Sequence, residues 1–482
     1  MHRIICVVLL TGLVLMVDAQ KRPTLTPTIK EQTLSGIEAR RDTYKQTALQ
    51  IWNYAELGYK EVQSSALLQK LLKENGFSVE AGVAGIPTAF VATFGSGSPV
   101  IGLLAEYDAL PGLAQEAVPE KKSIGGQIGG HGCGHHLFGT ASVAAGISIK
   151  ELIASKKITG TIKVYGCPAE EGGSGKVYMA REGLFNDLDA AIHWHPDSRH
   201  EIFSNSGLAN KSAKFRFRGL SAHAAMAPER GRSSLDAVEA MNYMVNMMRE
   251  HMPQDARIHY VITDGGKAPN VIPDFAEVSY YVRHPDRGEV VALFDRVVKA
   301  AEGAATGTET KMEFEIIGGT HEILINNTLA EIMERNLMQI GGFSYTAEEA
   351  DFARKIRSTL DFKVPDINSV RIIQSPKAVD PASGGSSDVG DVSYTVPTVG
   401  AWIATWAPGV PAHSWQAVAC GGTEIGIKGM MLAAKTMALT AIDLYYSPTA
   451  IAKAKAEHVR SVGDYKYEAL LGDRKPALNY RD

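Results

Sequence analysis

The feature that most constrains the fold is a recurring order: a short apolar run, then residues able to do chemistry, then a helical pattern. Val100–Leu104 runs into Ala105-Glu106-Tyr107-Asp108, Thr161–Tyr165 is followed by Pro168-Ala169-Glu170-Glu171, and Ala190–His193 by Trp194-His195-Pro196. Thr88–Phe94 adds a strand, and Thr398–Ile403 another near the end of the chain. Helical patterns fall between these runs, at about His136–Ala154 and Lys176–Glu182, with a longer stretch over 37–75 that stops at Gly76 and a last one from Gly422 to about Tyr446. Such alternation predicts an α/β sheet covered by helices on both faces. Sheets of that kind place their sites beyond the carboxyl ends of the strands, where the chemical residues fall here.

The patterning changes after residue 208. Lys214–Arg218, Glu277–Arg283 and Met312–Ile316 alternate with period two, the signature of strands with one wet face, and helical segments lie at about Ser233–Glu250 and Gly288–Ala305. Strand, helix, strand, strand, helix, strand is the order of a ferredoxin-like α+β domain. The expected organisation is therefore a catalytic domain in two parts, 20–208 and 321–446, an inserted domain over 209–320, and a polar tail or extra helix over 447–482. The last long helix carries Glu424, Lys428, Lys435 and Asp443, so it reads as a buried core helix and not a membrane span.

Residues 1–19 read as a signal peptide: His2 and Arg3, a mostly apolar run from Ile4 to Val17, and small residues around Ala19. The run is shorter than the roughly 20 residues that span a bilayer, so an exported, periplasmic or secreted protein with no membrane attachment after cleavage is expected. Cleavage leaves Cys133, Cys167 and Cys420, an odd number, so at least one thiol is free. With 49 basic and 53 acidic residues and a net charge of -4, the chain has no basic excess for nucleic acid. Its 45% hydrophobic and 21% charged residues exclude disorder.

Four motifs carry chemistry. In Gly130-His131-Gly132-Cys133-Gly134-His135-His136 a thiol and imidazoles crowd a glycine-rich turn, a set suited to a divalent cation. A tight turn with one buried thiol and solvated histidines is the competing reading. The adjacent pair Glu170-Glu171 can divide labour, one carboxylate ligating and its neighbour moving a proton. His193 and His195 follow a strand, and His413 lies in Pro411-Ala412-His413-Ser414-Trp415. One thiolate, one carboxylate and three imidazoles exceed the usual four ligands of one zinc, so two ions sharing a bridge fit better.

The ordered set GLLAEYDALPG, GGHGCGHHLFG, GCPAEEGGSG, AIHWHP, GLSAHAAMAPERGRSSLDA, APNVIPD and GVPAHSWQ resembles the co-catalytic metallopeptidases of the carboxypeptidase G and aminoacylase type, in their amidohydrolase branch. The resemblance covers roughly residues 35 to 446. It implies a central mixed sheet of the zinc-peptidase kind with a lid and dimerisation insert. It also implies two divalent ions, zinc or manganese, held by Cys133, His135, Glu171, His195 and His413. By the same resemblance Glu170 is the general base acting on a metal-activated water, His193 is structural, and Asp108 orients a ligand. Glu106 stands where many relatives have a metal-binding histidine, which leaves the roles around that loop open. In the insert, His223 and Asn270 match donors to the tetrahedral oxyanion, His223 often serving the partner subunit, and Arg283 matches a binder of the substrate carboxylate. The implied substrate is a small N-acyl amino acid, an aroyl-glutamate such as p-aminobenzoyl-glutamate being favoured. The implied assembly is a homodimer through the lid or a hetero-oligomer with a homologous subunit. Two other readings stand beside this one: a metal-free thiol amidohydrolase using Cys133, and a subunit inactive without a homologous partner.

Overall fold

Apolar runs too continuous for a half-wet strand must be covered twice, and Val100–Ala105 is. Leu103 faces a core shared with the helices His135–Ala154 and Glu424–Tyr446, while Leu104 faces a second core with Val177 and Met179. Val164 and Tyr165 divide in the same way. The computed structural model describes residues 27–375 and 384–481; the expected signal peptide lies outside the described residues.

The main sheet has six strands in the spatial order Ser78–Ala81, Phe90–Ser96, Gly160–Gly166, Val100–Ala105, Ala190–Ile192, Thr398–Val399. Gly160–Gly166, Val100–Ala105, Ala190–Ile192 and Thr398–Val399 run parallel to one another, and Phe90–Ser96 is antiparallel to both strands beside it. The sheet is thus mixed, with helices on both faces. Helices His135–Ala154 and Glu424–Tyr446 are mostly buried and pack on one face, with the charged residues Glu424, Lys428, Lys435 and Asp443 of the latter half-buried at its edge. Gly134 starts the first of them at a left-handed φ of 75°, a conformation glycine adopts freely, and so turns the chain sharply between Cys133 and His135.

Several elements differ from expectation. The helical stretch over 37–75 is three helices, Pro27–Ala39, Arg41–Tyr54 and Val62–Glu74. The second ends where Ala55 turns left-handed, and the loop beyond it delivers Glu61 to the site region. The run Thr398–Ile403 splits between two sheets: Thr398–Val399 completes the main sheet, while Ala401–Ala404 joins His195–Asp197, His200–Ile202 and Ile373–Gln374 in a smaller one. Helices Asn327–Ile340 and Ala347–Arg357, absent from the sequence expectation, fill the return to the catalytic part.

The insert forms its own antiparallel sheet in the order Arg257–Asp264, Phe275–His284, Ala209–Arg218, Lys311–Thr320. Helices Ser234–Met248 and Arg287–Gly307 cover one face, and the inward residues Phe215, Phe217, Val278 and Tyr280 make a separate core with them. The expected extra helix is present in residues 447–481, and more of the segment is structured than a tail. Helix Pro448–Val462 leads into an ordered, irregular segment through Arg481 that packs on both the insert and the catalytic part.

Candidate metal centre

The carboxyl ends of Val100–Ala105, Gly160–Gly166 and Ala190–Ile192 open side by side, and each presents the next few residues of the chain at that edge. Glu106 and Asp108 leave the first, Glu170 and Glu171 the second, His193 and His195 the third. The turn at Gly134 adds Cys133 and His135, and the loop before helix Trp415–Gly421 adds His413. Donor atoms of Cys133, His135 and His195 lie within 4.8 Å of one another, as do those of Cys133, Glu171 and His413, and those of Glu106, His135 and Glu170.

Of the three histidines in the 130–136 turn, only His135 faces this cluster. His131 Nε2 meets the Ile51 carbonyl at 3.1 Å and His136 Nε2 meets that of Gly421 at 3.1 Å. Burial holds both neutral, His131 at about 4 and His136 well below the usual range. His193 is buried against Phe203, and burial lowers it to about 3.

His135 is gripped from two sides: its Nδ1 lies 2.9 Å from Asp108 and its Nε2 3.0 Å from Glu106. Burial alone would lower its pKa, but the carboxylates of Asp108 and Glu106 raise it well above the usual value. Asp108 also accepts the Glu171 amide N–H at 2.9 Å, so one carboxylate sets the imidazole and the neighbouring loop together. His195 Nε2 sits 3.4 Å from the Cys133 sulfur while its Nδ1 lies 2.7 Å from the Pro196 carbonyl, so Nε2 is the nitrogen turned to the cluster. Burial, with His135 nearby, lowers its pKa to about 3.

His413 Nε2 lies 3.1 Å from Glu171, and its side chain is 54% exposed at the rim. Its backbone has a left-handed φ of 58°, and Ala169 and Ser174, on either side of the glutamate pair, have 55° and 60°. Such strain in side-chain-bearing residues collects where the surroundings over-determine the backbone. Here Glu61, buried, accepts the Ala169 N–H at 2.8 Å, and burial together with Asp108 raises its pKa to about 8.

Beneath the cluster lies a fully buried lysine. Lys176 Nζ contacts Glu106 at 2.6 Å and Asp388 at 2.7 Å. Burial opposes its charge, but Asp388 and Glu106 together raise its pKa well above the usual value. Glu106 is thereby tied to Lys176 on one oxygen and turned toward His135 with the other. Burial, then Glu106 and Glu171, push the Glu170 carboxyl well up, and burial with Glu171 does the same to the Cys133 thiol.

Glu106 Oε2, His135 Nε2 and Glu171 Oε1 are buried, and the contacts they make within the cluster, Glu106 to His135 at 3.0 Å and Glu171 to His413 at 3.1 Å, lack hydrogen-bond geometry. Donor atoms crowded within 4.8 Å of one another around a thiol, without settled hydrogen bonds between them, are what a cation site demands, and the mix of sulfur, nitrogen and oxygen suits a divalent transition metal. The residues fit the group. They open on a cavity of about 900 Å³ walled by Trp402, Phe203 and Phe362, with Arg199 and Arg283 also on its surface. Arg283, from the insert strand Phe275–His284, reaches Ser386 at 3.4 Å. His223 and Asn270 are not brought here: they lie at the edge of the insert, where the Asn270 carbonyl accepts the Ala224 N–H at 3.1 Å, and neither lines the cavity. Sequence reasoning missed Glu61, Lys176, Asp388 and the Trp402–Phe203 wall.

Fold and site together define a metal-dependent amidohydrolase of the two-part peptidase type, with an α/β catalytic sheet and an inserted dimerisation domain. A family model described as a peptidase dimerisation domain matches residues 207–309. The chain is 41% identical to one of the subunits of the p-aminobenzoyl-glutamate hydrolase of Escherichia coli (strain K12), over 90% of this chain and 96% of that one. It is 25% identical to the Xaa-Arg dipeptidase of Mus musculus over 89% of this chain and 92% of that one. Among solved structures, an aminohydrolase from methicillin-resistant Staphylococcus aureus superposes with a TM-score of 0.64 at 17% identity, covering 86% of this chain and 99% of that one. The Bacillus subtilis YXEP protein, a dinuclear metal binding peptidase from the M20 family, gives 0.56 at 19% identity, covering 85% and 99%. The chain belongs to the M20 metallopeptidase family.

Proposed function

We propose that the chain hydrolyses the amide bond of N-aroyl amino acids of the p-aminobenzoyl-glutamate kind with the help of two divalent ions, zinc or manganese. The observation that carries this reading is the Cys133 sulfur, which belongs to two donor groups at once, one with His135 and His195 and one with Glu171 and His413. These five residues would hold the ions. When bound, the ions supply Lewis-acid polarisation of the scissile carbonyl and ease the deprotonation of water.

The chain's own groups do the rest. Glu170, on the cavity wall beside the ligands, takes a proton from the attacking water and returns it to the departing amine. Asp108 holds His135 in place, the kind of outer contact that fixes a ligating ring. Arg283 offers a guanidinium fork to the substrate carboxylate. For the acyl group, the Trp402 ring stands 5.0 Å from that of His195 and 4.1 Å from that of Phe203, an aromatic wall running up to the ligands. A flat aroyl ring stacks on such a wall. Support for the substrate class comes also from the bacterial relative, which is part of a p-aminobenzoyl-glutamate hydrolase.

Because His223 and Asn270 lie on the edge of the insert and outside the cavity, we read them as donors to the oxyanion in a second copy's site, within a homodimer formed through the lid. A homologous chain could take that copy's place, since the other named component of the same Escherichia coli (strain K12) enzyme is also a relative, 23% identical. Export with loss of residues 1–19 belongs to the same proposal. The test is purified chain alone, stripped with a chelator and given single metals, assayed on p-aminobenzoyl-glutamate and a panel of N-acyl amino acids. Turnover that returns with metal and favours aroyl substrates supports the reading. Turnover that persists without metal and dies on alkylation favours the thiol hydrolase, and none until a homologous chain is added favours the dependent subunit.

A further inference from the structure

Beyond helix Pro448–Val462 the described residues have no regular secondary structure, yet residues 465–481 are bonded at one place after another. At the root of the insert, Tyr465 Oη lies 3.0 Å from His321 Nε2, and His321 Nδ1 lies 2.8 Å from Asp391. His321 comes directly after the last strand of the insert, Lys311–Thr320, while Asp391 belongs to the catalytic part. Tyr467 donates to the same Asp391 at 2.9 Å, and the Arg287 guanidinium, from the insert's second helix, lies 3.3 Å from the centre of the Tyr465 ring. Further along, Arg474 donates to the Ile316 carbonyl of the insert strand at 2.9 Å.

The segment then crosses to the metal-site loop. Arg181, at the end of the helix just beyond this loop, donates to the carbonyls of Gly472 at 2.9 Å and Arg474 at 2.7 Å. Finally Tyr480 Oη donates to the backbone carbonyl of Glu171 at 3.1 Å, and Arg481 donates to the same oxygen. The Tyr480 ring packs edge-on against Tyr59, whose hydroxyl donates to the Gly173 carbonyl of that loop at 2.7 Å. At Gly58 a side chain would collide with Tyr480, since a Cβ there would stand 2.2 Å from the Tyr480 hydroxyl. The loop needs such support: Ala169, Gly172 and Ser174 all hold left-handed φ, and the Glu171 backbone is otherwise fixed through its N–H on Asp108.

We propose that residues 465–481 are a tether that holds Glu171 in ligating position and links that position to the seating of the insert, with Tyr480 and Arg481 as positioning residues. This rests on the reading of Glu171 as a metal ligand. The carbonyl of Glu171 is pinned by the same segment whose other end is bonded to the insert, so a shift at one end is felt at the other.

The test uses full-length protein, stripped and titrated with Zn²⁺ alone by calorimetry, with kcat and KM measured in parallel. Tyr480→Phe combined with Arg481→Met should weaken Zn²⁺ binding by about 10- to 100-fold, the usual effect of losing an outer partner of a ligand, and lower kcat. Arg481→Lys, which keeps a donor, should recover most of it. Tyr465→Phe, which touches no ligand, should weaken binding in the same direction, and the combination with Tyr480→Phe should fall short of the product of the single effects, as coupled sites do. Zn²⁺ affinity unchanged in the Tyr480/Arg481 variant, or strictly multiplicative effects of Tyr465→Phe and Tyr480→Phe, would overturn the tether. Wild-type protein that takes up no Zn²⁺ overturns the tether together with the functional reading beneath it.

Discussion

The donor cluster and the edge of the insert are built in opposite ways. Cys133, His135, Glu171 and His195 rise from the ends of buried strands or a buried helix, and every one has a neighbour that fixes its direction. His223 and Asn270 sit in the open, held by a local turn in which His223 Nδ1 accepts the N–H groups of Ala225 and Met226, both at 3.2 Å. A site that must keep metal geometry to a fraction of an ångström is set in the core, while groups that act after assembly or closure are left on a surface. On the proposed reading, one chain brings its own metal-ligand set and takes its oxyanion donors from a second copy.

Variants can break this contrast. The largest effect is expected from Glu170→Ala, with kcat falling by about 100- to 10,000-fold while Zn²⁺ content by elemental analysis is unchanged; metal lost along with turnover would make Glu170 a ligand. Lys176→Met removes the buried cation bonded to Glu106 and Asp388, leaving Asp388 without its ion pair. It should cost about 3–5 kcal/mol in urea unfolding, against little for a surface lysine. His223→Ala should lower kcat about 100- to 1,000-fold with Zn²⁺ affinity intact. Mixed dimers of His223→Ala and Glu170→Ala chains should regain activity, because each pairs one sound cluster with one sound donor; mixtures as dead as their parents would place His223 in its own chain's site. Asp108→Asn should weaken Zn²⁺ binding by about 10- to 100-fold in calorimetry, through His135 and the Glu171 N–H together. The smallest effect is for Thr346→Ala, which removes a helix cap far from this chemistry: about 1 kcal/mol of stability by thermal unfolding and no change in metal binding.

The cluster was legible because strand-end position carries information. Glu106, Asp108, Glu170, Glu171, His193 and His195 each come after an apolar run, and parallel strands bring the residues beyond their carboxyl ends to one edge. Composition and spacing alone did not tell which histidine of the 130–136 turn faces inward, since His131 and His136 differ from His135 only in which carbonyl or carboxylate lies opposite; the family resemblance singled out His135. Lys176 hid inside a helical pattern, where a lysine ordinarily means a wet face. The split of Thr398–Ile403 came from a sheet change that an unbroken apolar run conceals. The helix Ala347–Arg357 was missed although the Thr346–Glu349 capping box, visible in the sequence, marks its start. The 465–481 segment left no trace, because its tyrosines and arginines bond to backbone and to distant side chains, and neither gives a period.

We propose that Cys133, His135, Glu171, His195 and His413 would hold two divalent ions, and the most direct measurement is calorimetric titration of stripped protein with Zn²⁺ or Mn²⁺. Two ions per chain are expected, with Cys133→Ala weakening both binding events because it removes the donor common to both groups. A single ion per chain, or a Cys133→Ala protein that binds both as the wild type does, would contradict it.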